Sequence, residues 1–62
     1  MTEHMKAVLL DVKRGKSPFD NLRLSPPQIA RAVKQCAEAG LVVQPYGGPR
    51  VLTEAGEKVL AS

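Results

Sequence analysis

A serine followed by two prolines constrains the fold of this chain more than any other feature. Ser25-Pro26-Pro27-Gln28 predicts the start of a helix, because a proline in the first turn lacks only an N–H that has no partner within the helix. Ser25 is the expected N-cap, and Gln28 can complete a capping box with it. Gly40 is the expected left-handed terminator. The sequence therefore predicts a helix over residues 26–39.

This predicted helix has two faces of different polarity at about 100° per residue. The polar side carries Gln28, Arg31, Lys34, Gln35 and Glu38. The apolar side, expected to face the core, carries Ile29, Ala30, Val33, Cys36 and Ala37. The pattern is typical of a helix that packs one side against a core and leaves the other in solvent.

Two further elements are predicted before this helix. Met5, Val8, Leu9 and Val12 form an apolar stripe, which predicts a helix from about residue 2 to 14 that is capped by Thr2 and ended by Gly15. Ser17-Pro18 predicts a very short helix from residue 18 to about 22, with Phe19 and Leu22 on one face. Residues 22–24 are a candidate strand.

A β-hairpin and a last helix are predicted after it. Residues 41–43 and 50–52 are short extended runs around the turn Pro45-Tyr46-Gly47-Gly48-Pro49. They predict a hairpin over residues 41–52 with about four residues per arm. Thr53 then caps a helix over residues 54–61, with Ala55, Val59 and Leu60 as its apolar positions. Gly56 weakens this helix by roughly 1 kcal/mol relative to alanine.

The 62 residues predict one domain, residues 1–62, of mainly α class with a small β-hairpin, an α+β fold. Phe19 and Tyr46 are the two aromatic residues, so the core is expected to be aliphatic. Cys36 has no partner for an internal disulfide and is expected in the core. No apolar run is long enough for a membrane span, and residues 1–10 do not resemble a signal peptide, so a cytoplasmic location is expected.

Positive charge is concentrated in the first half of the chain. Nine lysines and arginines against six acidic residues give a net charge of +3. Between Lys13 and Lys34 there are six basic residues and one acid, Asp20. A small basic protein of this kind favours a polyanionic partner.

The stretch from Ser25 to Leu60 resembles the winged-helix transcriptional regulators of the MarR and PadR kind. The matching segments are Ile29-Ala30-Arg31-Ala32-Val33, Glu38-Ala39-Gly40-Leu41-Val42, Gly47-Gly48 and Val51-Leu52-Thr53-Glu54-Ala55-Gly56. In that family they form the recognition helix, its exit, the tip of the wing and the entry to the next helix. The resemblance implies a winged helix-turn-helix fold with a three-helix core plus a wing. The segment before Ser25 is shorter than the family's usual helix, and the long helices through which the family dimerises are absent.

The resemblance implies that the chain binds double-stranded DNA and regulates transcription. Helix 26–39 would then enter the major groove and hairpin 41–52 would be the wing; the location would be at the nucleoid. The predicted DNA-binding residues are Ser25, Gln28, Arg31, Lys34, Gln35, Arg50, Lys16, Arg23 and Tyr46. Arg31 and Gln35 are the expected base readers, Lys34 a phosphate contact, and Arg50 and Tyr46 contacts from the wing. Lys13 and Arg14 are candidate contacts to the flanking backbone.

A 62-residue monomer offers a small footprint on DNA, so a homodimer or a larger protein partner is expected to supply specificity. The alternative is a winged helix used for protein–protein contact in a larger assembly. A DNA-binding protein keeps the Gln28–Arg31–Gln35 face polar, positive and exposed, whereas a protein-docking module exposes an apolar patch. No serine is backed by a plausible histidine and acid, no glycine loop fits a phosphate-binding consensus, and His4 has no metal-ligand spacing around it. We therefore expect no enzyme activity, cofactor or metal.

Overall fold

The computed structural model describes residues 2–62 and is mainly helical with a small antiparallel sheet. In chain order the elements are α1 (Glu3–Lys13), a 3₁₀ turn (Pro18–Asp20), α2 (Pro26–Glu38), β1 (Val42–Val43), β2 (Val51–Leu52) and α3 (Glu54–Ala61). This confirms the predicted α+β class. In this part of the chain, no helix combines the length and apolar content needed to cross a membrane.

The predicted capping residues define the helix ends. The hydroxyl oxygens of Thr2 and Thr53 accept hydrogen bonds from the third residue of their helices, each at 3.1 Å. Ser25 caps α2 in the same way. Gly15 and Gly40 follow α1 and α2 with φ of 75° and 73°, a backbone conformation that glycine adopts at little steric cost. The boundaries predicted from local sequence therefore hold to within a residue or two.

The core is aliphatic, as predicted, and lies between α1, α2 and the start of the hairpin. Its buried members are Val8, Leu9, Val12, Ala32, Cys36, Leu41 and Val42. Met5, Val33, Leu52, Val59 and Leu60 pack around them. Ile29 is also buried, whereas Phe19 and Tyr46 are exposed. Side chains from α3 thus close the core from the C-terminal side.

The apolar side of α2 differs from the prediction. Ala32 is buried, but Ala30 and Ala37 are exposed. Ile29, Ala32 and Cys36 are three and four residues apart, which places them on one stripe of the helix. The buried side of α2 therefore does not include Ala30 and Ala37. Because the alanine side chain is small and fits either side of a helix, the sequence did not show which alanines face the core.

The hairpin arms are two residues long, not four. Val42 pairs with Leu52 and Val43 with Val51. Pro45 and Pro49 lack the N–H that would extend the ladder.

The predicted third strand at residues 22–24 is wrong. The described sheet contains only β1 and β2, and residues 22–24 form turns and a bend. The backbone N–H of Arg23 donates to Oδ1 of Asn21 at 2.8 Å, so it is not free for a ladder. The short helix also ends at Asp20 and not at Leu22. Pro18 is the buried residue of this turn. Phe19 and Leu22 are both exposed, so they do not form the predicted apolar face.

Candidate nucleic-acid interface

The exposed side of α2 presents polar and cationic side chains at regular spacing. Arg31, Lys34 and Gln35 are exposed, while Ala32 and Cys36 anchor the opposite side of the helix in the core. Arg31 and Gln35 are one turn apart, so their side chains are neighbours. This side of α2 carries no large apolar residue. We call Arg31, Lys34 and Gln35 the α2 face.

The cations of the α2 face have no ion-pair partner among residues 2–62. In this range the structure contains one ion pair, in which Lys58 Nζ lies 3.8 Å from Glu54 Oε1 on α3. Glu38 follows Lys34 by one helical turn without forming a salt bridge to it. Because no acidic side chain among the described residues pairs with Arg31 or Lys34, their charges are available to an anionic partner.

Ser25 and Gln28 have a structural role at the start of α2. Oε1 of Gln28 accepts a hydrogen bond from the backbone N–H of Ser25 at 3.0 Å, and Oγ of Ser25 accepts one from the N–H of Gln28 at 3.4 Å. This is the predicted capping box. The side-chain carbonyl of Gln28 is therefore occupied, and its NH₂ group and the Ser25 hydroxyl hydrogen remain as donors for an external partner.

Gln28, Arg31 and Gln35 line one shallow depression on the surface. His4, near the start of α1, lies beside them in it. Sequence reasoning missed His4, because only the packing of α1 against α2 brings it there and no local pattern reports that contact. His4 is a further candidate contact at this edge of the α2 face.

A second cationic group lies where the hairpin approaches the end of α1. Lys16 and Arg50, both predicted site residues, line one groove there together with Lys13 and Gln44. Gln44 also braces the hairpin, since its Nε2 donates to the carbonyl of Gly48 at 3.4 Å. The structure thus brings three positive charges together from α1, the following loop and the hairpin. We call Lys13, Lys16 and Arg50 the wing-side cluster.

The α2 face and the wing-side cluster are at different ends of α1. His4 and Lys13 mark the two ends, and a rise of 1.5 Å per residue separates them by about 14 Å along the helix. Arg23 lines a different groove along α1, shared with Lys16. Tyr46 is fully exposed at the tip of the hairpin. The predicted site residues therefore form two groups, with Arg23 and Tyr46 outside both.

The described residues offer few groups for other chemistry. Within residues 2–62, no cluster of three histidine, cysteine or acidic side chains could hold a metal ion. Cys36 is fully buried, its Sγ lies 3.6 Å from the carbonyl oxygen of Met5, and burial raises the pKa of its thiol. As predicted, Cys36 is a core residue, and a raised pKa disfavours the thiolate that nucleophilic chemistry needs.

Comparison with protein-family models, with curated proteins and with solved structures finds no match to this chain.

Proposed function

We propose that this protein binds double-stranded DNA as a winged helix-turn-helix domain and regulates transcription. In this proposal α2 is the recognition helix and enters the major groove, which is wide enough to admit an α-helix. The hairpin between β1 and β2 is the wing, and α1, α2 and α3 form the three-helix core. The order of elements and the sequence resemblance to MarR and PadR regulators support this assignment.

The observation that carries the proposal is the α2 face. It combines exposure, positive charge that pairs with no acidic side chain in the described part of the chain, and a helix held in place by its buried side. Large exposed apolar side chains, which would favour a protein-docking role, are on other elements: Leu10, Phe19, Leu22, Val43, Tyr46 and Val51. The face therefore meets the criterion for a DNA-binding surface better than that for a protein-docking surface.

In the proposed mechanism the α2 face and the wing-side cluster have different roles. Arg31 can donate to O6 and N7 of guanine, and Gln35 can pair with adenine, so both read bases. Lys34 neutralises a phosphate, as a flexible point charge on the flank of the helix. Lys16 and Arg50 of the wing-side cluster contact phosphates beside the groove. Affinity then depends on salt, because each neutralised phosphate releases a counterion.

Fluorescence anisotropy with a labelled mixed-sequence duplex, recorded across a salt series, tests this proposal. We expect binding at low salt that weakens steeply as salt rises. Replacing Arg31 with alanine should weaken binding by about 1–3 kcal/mol at sites that contain its base. Arg31 is exposed, so the substitution leaves the core intact.

Lys58→Ala is the control, because it removes the same unit of charge from a different helix, α3. Equal losses for Arg31→Ala and Lys58→Ala would mean that net charge alone governs binding, and the assignment of α2 as recognition helix would fail. Absence of binding at low salt would reject DNA as the partner.

A further inference from the structure

The outward side of α1 carries a short stripe of four residues. Glu3, Ala7, Leu10 and Arg14 recur at spacings of four, three and four, so they share one side of the helix. This side is opposite the one that Val8, Leu9 and Val12 bury in the core. All four residues line one open groove along α1. We call them the α1 stripe.

The groove lies between α1 and the residues that follow it, and most of its lining is polar or charged. Ala7 is half-buried and Leu10 is 37% exposed, so both remain accessible. Arg23 and Leu24 line the opposite side, and Nδ2 of Asn21 donates to Oδ2 of Asp11 at 3.2 Å, which ties that wall to α1. The apolar surface of the groove is thus small and limited to Ala7, Leu10 and Leu24.

The charges at the two ends of the α1 stripe are opposite. Glu3 begins α1 and Arg14 follows its last residue. The pair Glu3–Arg14 and the pair Ala7–Leu10 are both centred on the same point, between Val8 and Leu9. If a two-fold axis passes through that point, a second α1 runs antiparallel to the first. Each of the four residues then lies opposite a complementary residue of the second copy. A parallel copy would place like charges together at both ends.

We propose that this protein forms a two-fold symmetric dimer in which the α1 stripes of two copies pack antiparallel. Glu3 of each copy pairs with Arg14 of the other, and Leu10 of each copy packs against Ala7 of the other. This is a self-complementary contact of the kind that a two-fold axis requires. It does not depend on DNA. It would, however, place two copies of α2 on one assembly, which a symmetric DNA site needs.

The dimer is expected to be weak. The apolar part of the stripe is short, and the ion pairs would be at the surface, where solvent screens them. Lys6 and Lys13 flank one side of the stripe in both copies and would face each other in the antiparallel pair. Salt should therefore change the dimer affinity only modestly, because the attractive and repulsive pairs are screened together.

Sedimentation equilibrium of the DNA-free chain, up to about 1 mM, tests the dimer. We expect a reversible monomer–dimer equilibrium. Leu10→Lys should weaken it at least tenfold, because it introduces a charge into the apolar centre. Val43→Lys is the matched control, since Val43 is a comparably exposed valine on the hairpin and its replacement should leave the dimer unchanged.

Charge reversal tests the antiparallel register. Glu3→Arg and Arg14→Glu should each weaken the dimer about tenfold, because each change affects two symmetric contacts. The double variant should recover affinity to within about threefold of the original, since its charges are again complementary. Circular dichroism checks that each variant keeps its helices.

A chain that stays monomeric at the highest concentration would overturn the proposal, as would a dimer that Leu10→Lys leaves intact. Failure of the double variant to recover would reject the antiparallel register. None of these outcomes involves DNA, so they are distinguishable from failure of the proposed DNA binding.

Discussion

Gly56 packs directly on the backbone carbonyl of Leu41. A Cβ at position 56 would overlap the carbonyl oxygen of Leu41, and Gly56 is buried although it is in the first turns of α3. Thr53 holds the same junction, because its N–H donates to the Leu41 carbonyl at 3.0 Å and its hydroxyl donates to the Gly40 carbonyl at 2.6 Å. The segment that follows α2 and the start of α3 are therefore joined at the carbonyls of Gly40 and Leu41.

Gly56→Ala should destabilise the protein. Alanine would improve the intrinsic helix propensity by about 1 kcal/mol, but a Cβ against the Leu41 backbone costs more, typically 1–3 kcal/mol or above for overpacking. We expect a net loss of about 1–2 kcal/mol, or a fall in Tm of roughly 8–15 °C for a domain of this size. Urea and thermal unfolding followed by circular dichroism measure it.

Gly48→Ala is the control for this prediction. A Cβ at Gly48 would meet the Pro45 carbonyl oxygen at 3.7 Å, an ordinary contact. Its substitution should change stability by less than about 0.5 kcal/mol. An equal effect of both substitutions would show that the contact with Leu41 does not set the cost at position 56.

Lys34→Ala should make DNA binding less dependent on salt. If Lys34 neutralises one phosphate, its loss reduces the slope of log K against log salt by about 0.9 and weakens binding to all duplexes alike. Titrations at four or more salt concentrations measure the slope. The slope for Lys58→Ala should stay at the original value, and an unchanged slope for Lys34→Ala would remove this lysine from the interface.

Glu38→Gln should tighten DNA binding. Glu38 is one turn beyond Lys34 and two turns beyond Arg31 on the exposed side of α2, so its carboxylate repels phosphates near that side. Removal of this charge should raise affinity about twofold to fivefold at low salt. Glu57→Gln on α3 makes the same change in net charge and should have a smaller effect. If both variants tighten binding equally, the effect is one of net charge and not of position.

The buried thiol of Cys36 should make stability fall at high pH. Burial raises the thiol pKa above the ordinary value of 9.0, so the folded chain holds this proton where the unfolded chain has released it. The contribution of the protonated thiol to the free energy of unfolding is therefore fully present below about pH 9. It is lost as the pH rises through the pKa of the folded state.

Urea unfolding of the native chain and of Cys36→Ala at pH 8, 9 and 10 measures this effect. The free energy of unfolding should fall more steeply for the native chain. Parallel pH profiles of the two proteins would contradict the account.

Local sequence predicted the helices well because their ends depend on nearby residues. Thr2, Ser25 and Thr53 cap their helices with side-chain hydrogen bonds that span three residues, and such short-range chemistry is visible in the sequence. The same holds for Gly15 and Gly40, which end α1 and α2 with positive φ.

The errors arose where tertiary packing decides. The side of α2 that faces the core depends on how α1 crosses it, which is why Ala32 is buried and Ala30 is not. Gly56 was interpreted as a weak point in a helix, whereas its contact with Leu41 spans the whole hairpin. In the candidate site, too, local features were predictable from the sequence and tertiary contacts were not. The exposure of Arg31 and Gln35 followed from helical periodicity, but the proximity of His4 and the meeting of Lys16 with Arg50 did not.

The most direct test of the central claim is a two-dimensional ¹⁵N–¹H NMR titration of the labelled chain with a mixed-sequence duplex at low salt. The account predicts the largest shift changes for amides around Arg31, Lys34 and Gln35, smaller changes near Lys16 and Arg50, and little change on the exposed side of α3. Changes confined to α3 or to the α1 stripe, or no change at any DNA concentration, would contradict the assignment of α2 as the helix that enters the major groove.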